Sequence, residues 1–183
     1  MPSDSALSPL IAATAHWLTR AYPSGGGAFQ RGLAEAQARQ AVTVAAWLRY
    51  PTDLDAQLVA LSGPGGSDRL DWITGADAAT ALPGDDEHGE HENAWRTWVD
   101  EVVASWAACL LSTPALAADA AHALASTEHT GALTAGFRRL NEPGENDRRA
   151  AALLRHPDLL APVAELHRPE LLQVLGVDAA PAG

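Results

Sequence analysis

The sequence predicts an all-α protein, a single-domain helical bundle of about seven to nine helices, several of them short. Three observations carry that prediction. Apolar residues recur at steps of three and four through most of the chain, the period of a helix with one buried side. No segment sustains the alternation of β-branched and polar residues that marks a strand. Glycine and proline cluster between the periodic segments, where they end one helix and start the next. At 183 residues with 47% hydrophobic content, the chain is long enough to enclose a core and short enough for one domain. That domain is expected over residues 1–176, with 177–183 as a disordered tail.

The first helix is expected from Leu7 to Tyr22, with Leu10, Ile11, Thr14, Trp17, Leu18 and Ala21 in register. Ser8 is placed to cap it and Pro9 to occupy its first turn, where a missing N–H costs nothing. Pro23 and Gly25-Gly26-Gly27 end it. The longest candidate runs from Ala28 to Tyr50, with Phe29, Leu33, Ala36, Ala41, Val44, Trp47 and Leu48 on its buried side and a surface ladder of Arg31, Glu35 and Arg39. Pro51-Thr52-Asp53 opens a shorter helix through Leu61. The segment 62–67 reads as a Gly-rich linker, and 68–82 as one or two helical turns broken by Gly75 and Pro83-Gly84.

The central helix is expected from Glu92 to Ser112, which holds three of the six tryptophans. Trp95, Trp98, Val99, Val102, Trp106, Cys109 and Leu110 form its stripe, while Arg96, Asp100 and Glu101 fall on the solvent side, the pattern of a half-buried helix. Thr113-Pro114 restarts the chain into an Ala-rich helix from Ala115 to Ser126 with Leu116, Ala120 and Leu124 in contact. A helix from Gly131 to Leu140 carries Leu133, Phe137 and Leu140, and 141–146 reads as a loop. His156-Pro157 and Arg168-Pro169 open two short C-terminal helices, and Gly176 reads as the stop.

Composition excludes several functions. The 12 basic residues are all arginine against 23 acids, for a net charge of −11. Without lysine, neither a Walker A phosphate loop nor a Schiff-base enzyme can be built. The acidic balance does not suit nucleic acid, which needs a concentrated surplus of Lys and Arg. It suits a basic protein partner, a cation or simple solubility. Abundant Ala and Arg without Lys reads as an actinobacterial-like composition with high-GC coding. No apolar run approaches the ~20 residues of a membrane span, and the first ten residues lack a basic region ahead of a hydrophobic one. With one cysteine, Cys109, no internal disulfide can form, and a cytoplasmic setting is expected.

The one local concentration of chemistry is 85–92, where two imidazoles and five carboxylates occupy eight residues. His88 and His91, with Glu87 and Glu90, form a candidate divalent-metal site of mixed nitrogen and oxygen ligands. The opposing reading is a solvated acidic loop whose carboxylates complement the positive end of the following helix. No cofactor other than a possible divalent metal is indicated. Asp85, Asp86 and Trp72 are the candidate partner-binding residues, Trp72 because it stands in a loop-flanked segment. The remaining tryptophans read as large fillers of an Ala-rich core, and Cys109 as a buried inert thiol.

Residues 45–54, Ala-Ala-Trp-Leu-Arg-Tyr-Pro-Thr-Asp-Leu, resemble the early Leu-x-Tyr-Pro helix boundary of the all-helical, acidic cytoplasmic chaperones that mature molybdenum oxidoreductases. That family's later aromatic and glycine motif has no counterpart in this chain. In size and acidity the chain also looks like some bacterial immunity proteins. The expected function is a non-catalytic acidic helical protein that binds another protein. The alternatives are a metal-binding or metal-dependent protein using 85–92, and a helical sensor with a small-molecule cavity lined by tryptophan.

Overall fold

The computed structural model describes residues 3–63, 65–77, 94–127 and 136–177. Among them are ten α-helices and no strand. In chain order these are α1 (Ser3–Ala21), α2 (Ala28–Arg49), α3 (Asp53–Ser62), α4 (Ser67–Thr74), α5 (Glu101–Ser112), α6 (Pro114–Ala123), α7 (Arg138–Asn141), α8 (Glu145–Ala150), α9 (Pro157–Glu165) and α10 (Arg168–Val174). Short 3-10 turns lie at Ala94–Trp98, Leu124–Ser126 and Leu153–Arg155. The all-α class is therefore as the periodicity predicts. No described helix is long and apolar enough to cross a membrane.

The axis of the bundle is α5. Every residue from Val103 to Leu111 is buried, so this helix is apolar on all sides and enclosed on all sides. The half-buried stripe predicted for it is corrected by that finding. It packs against α2 and α9, while α1 lies against α2, α3 and the 94–98 turn. Both helices of the α2 and α5 pair carry fully buried small residues, Ala38, Ala41 and Ala45 in α2 and Ala104, Ala107 and Ala108 in α5. Residues this small let two helix axes approach closely.

The predicted continuous helix from Glu92 is broken. Asp100 stands in extended conformation and its Oδ1 accepts the Val102 N–H at 2.8 Å, the geometry of an N-cap, so the α-helix begins at Glu101. A capping aspartate supplies the orphan amides of a new helix start and thereby ends what precedes it. Trp95 and Trp98 consequently sit on a separate 3-10 turn, half-buried and 38% exposed respectively. Arg96, Asp100 and Glu101, predicted to face solvent, are all drawn at least partly inward.

Other boundaries moved for local reasons. Helix α1 begins at Ser3, so Pro9 lies inside it and neither Ser8 nor Pro9 marks its start. Phe29, predicted for the buried side of α2, is 71% exposed in the helix's first turn. Asn141 ends α7 and Glu145 begins α8, leaving 142–144 as the loop. At the far end, Gly176 takes φ +64 and the Val177 N–H reaches back to Leu172 O at 3.0 Å, a glycine stop of the kind predicted.

Candidate functional site

Helix α3 is set by its ends. The Thr52 side chain accepts the Asp55 N–H at 3.3 Å and donates to the Asp55 carboxylate at 2.7 Å, and Gly63 leaves the helix at φ +65. Asp53 and Asp55 occupy the first turn, where they complement the helix dipole. Ala56 and Val59 point into the core. Leu54, Leu58 and Leu61, spaced i, i+4 and i+7, lie on the opposite face at 67%, 54% and 83% exposure. The helix is thus apolar on both sides, a pattern expected of a helix covered on both sides.

Trp72, on the next helix, is 75% exposed. Its direction follows from its neighbours. Leu70 is fully buried, and Asp71 is held inward, its Oδ1 accepting the Trp17 indole N–H at 2.8 Å and its Oδ2 lying 3.3 Å from Arg96. With 70 and 71 turned to the core, the helical register puts 72 outward. Burial pushes the Asp71 carboxyl above its ordinary value, against the lowering effects of the Trp17 N–H and the Arg96 charge. Arg96 also lies over the Trp95 ring, 5.3 Å from its centroid, and His16 of α1 stacks on that ring at 4.8 Å.

The charge around this face is one-sided. Between Arg49 and Arg69 the chain has no basic residue, but it has Asp53, Asp55 and Asp68. Arg69 itself is engaged by Glu101 at 3.0 Å. An outward row of leucines on a helix that starts with Asp53 and Asp55 is complementary to an apolar segment flanked by basic residues.

Asp85, Asp86, Glu87, His88, Glu90 and His91 lie outside the described residues, as do Leu133 and His129. Among the described residues no group of three or more His, Cys, Asp or Glu side chains is arranged to hold a metal ion. His167 lies 3.3 Å from both Glu101 and Glu170, and His122 is exposed on α6. Cys109 is buried, donates to Ala164 O at 3.1 Å, and has its thiol pushed up to about 11 by burial. That is the reverse of an activated nucleophile, whose thiolate must be favoured.

Leu54, Leu58 and Leu61 are not among the predicted site residues, although the sequence carries their signal: Ala56, Val59 and Ala60 supply a second apolar side to the same ten residues. Compared with protein-family models, with curated proteins and with solved structures, the chain matches none.

Proposed function

We propose that the chain is a non-catalytic adaptor that binds another protein through the outward face of α3, with Trp72 as a further anchor. The observation that supports this reading is the second apolar face of α3. Burying an exposed leucine contributes about 1.5–3 kcal/mol, so three supply roughly 5–9 kcal/mol. Association costs about 4–15 kcal/mol in lost freedom. Apolar burial alone therefore gives weak binding, and the carboxylates around the face select a partner whose apolar segment is flanked by Arg or Lys. The boundary at Tyr50-Pro51, which resembles that of the molybdenum-enzyme chaperones over about ten residues, stands immediately before this helix.

The test compares the wild-type chain with a Leu58→Glu, Leu61→Glu double variant in affinity capture, followed by reconstitution of any captured protein from purified components. The expected result is a partner with a basic, apolar segment, retained at low salt, weakened at high salt and lost with the double variant. Two results would overturn the proposal: a captured set unchanged by the double variant, or a wild-type chain that sediments as a dimer which the variant converts to monomer. The second would show α3 to be a contact between copies.

A further inference from the structure

A cleft of about 620 Å³ opens between the C-terminal end of α5, the start of α6 and the loop between α7 and α8. Leu111, Pro114 and Pro143 give it apolar walls, and Ser112, Asn141, Glu142, Arg148 and Arg155 give it polar ones. This volume falls in the range of small-molecule sites.

Arg155 is its main polar feature. The side chain is half-buried, and that burial pushes its pKa below the ordinary arginine value, yet arginine remains charged in proteins. No carboxylate among the described residues forms an ion pair with it. Nε and Nη2 donate to Gln37 Oε1 at 3.1 and 2.9 Å, and Nη1 donates to Leu111 O at 2.9 Å. The acid that acts on it from nearby, Asp147, has its own carboxylate committed to Arg139 at 2.7 Å and to the Gly144 N–H at 3.1 Å. Three of five N–H donors are thus used on neutral acceptors, and Asp147 favours the charge only at a distance, with no ion pair to it among the described residues.

Three further groups border the same cleft. Arg148 is exposed and has no acidic partner among the described residues. Helix α6 begins beside the cleft at Pro114 without a side-chain cap, since the Thr113 side chain bonds none of its amides. The first amide bonded across that start is Ala117, to Thr113 O at 3.0 Å, which leaves the Ala115 and Leu116 N–H groups for another acceptor. Glu142 supplies an exposed carboxylate at the same cleft.

We infer that this cleft binds a small molecule carrying an oxyanion head, a carboxylate or a phosphate, with a hydroxyl or amino group beside it. The head compensates Arg155 and Arg148 at the start of α6. The neighbouring donor meets the Glu142 carboxylate, and the carbon skeleton lies against Leu111, Pro114 and Pro143. The site stands on α5 to α8 and Arg155, and no residue of α3 lines it.

The test is a titration of the full-length ¹⁵N-labelled chain at constant ionic strength with inorganic phosphate and, separately, with L-malate, followed by amide chemical shifts. The expected result is saturable movement of the Ala115, Leu116 and Gly144 amides with at least one of the two, the responding probe identifying the head group as phosphate or carboxylate. Arg148→Ala removes a charge that no protein group uses, so it is expected to weaken binding about tenfold while leaving the thermal midpoint in place. Arg155→Gln is expected to abolish binding, and if that variant unfolds the Arg148 comparison decides alone. No saturable movement of these amides with either probe, or equal affinity in wild type and Arg148→Ala, would overturn the inference.

Discussion

The Trp17 indole N–H donates to the Asp71 carboxylate at 2.8 Å, in the core, across 54 residues of chain. Arg96 approaches the other carboxylate oxygen at 3.3 Å. One side chain of α4 therefore fastens α1 and the 94–98 turn together. Replacing Asp71 with alanine strands a buried indole N–H and a guanidinium that is only 14% exposed. Removing one partner of a buried pair typically costs about 3–5 kcal/mol. Urea unfolding of Asp71→Ala is expected to show a loss of that size, and a loss below about 1 kcal/mol, the range of surface pairs, would show that the three groups are not coupled.

The same carboxyl makes a pH prediction. Its pKa in the folded chain lies above the ordinary aspartate value of 3.8, because burial outweighs the Trp17 hydrogen bond and the Arg96 charge. Between 3.8 and the raised folded value, the folded state binds the proton more firmly than the unfolded state does. Stability owed to this group therefore falls as pH rises through that window and is level on either side. Asp71→Asn keeps an oxygen for Trp17 and removes the titration. The stability of wild type minus that of Asp71→Asn, taken from urea unfolding at a series of pH values, is expected to decline as pH rises above 3.8. An increase across that window would contradict the burial argument.

The elements were legible where local sequence decides them. Helix α2 falls within a residue of its predicted bounds because Gly27 and Tyr50-Pro51 close both ends. The outward Trp72 was legible from the breaks around it. The join at Asp100 was not, since a capping aspartate inside an unbroken apolar stripe leaves the period intact on both sides. Nor was the Trp17–Asp71–Arg96 cluster or the Arg155 cleft. Their members come from separate helices, and no spacing along the chain records a meeting made by packing. Arg96 shows the cost of reading period alone: off the stripe of a helix that does not exist there, it belongs to a buried pair.

Cys109 is expected to be inert in the folded chain. Its sulfur is enclosed in α5, bonded to Ala164 O, and its thiol is pushed up to about 11, so little thiolate exists at neutral pH and none is accessible. A disulfide-exchange reagent is expected to label it only at the rate of opening, with full labelling in denaturant. Stoichiometric labelling within mixing time, under conditions where circular dichroism shows the native helices, would contradict this.

The carbonyl of Ala164, in the last turn of α9, belongs to the set of helix-end acceptors that lack an intrahelical partner. Two side chains one turn apart on α5 supply it: Ser105 Oγ at 3.3 Å and Cys109 Sγ at 3.1 Å. Ser105 Oγ also accepts the His167 N–H at 3.0 Å, so it serves the end of α9 and the start of α10 together. Ser105→Ala leaves the His167 amide unpaired and is expected to cost about 1–3 kcal/mol. Cys109→Ala leaves Ala164 O still bonded to Ser105 and is expected to cost mainly the lost sulfur packing. With both removed, the carbonyl is buried and unpaired, so the double variant is expected to lose more than the sum of the single losses, by about 0.5 kcal/mol or more. A double-mutant cycle from urea unfolding measures that excess, and strict additivity would show that Ala164 O finds another donor when α5 withdraws its own.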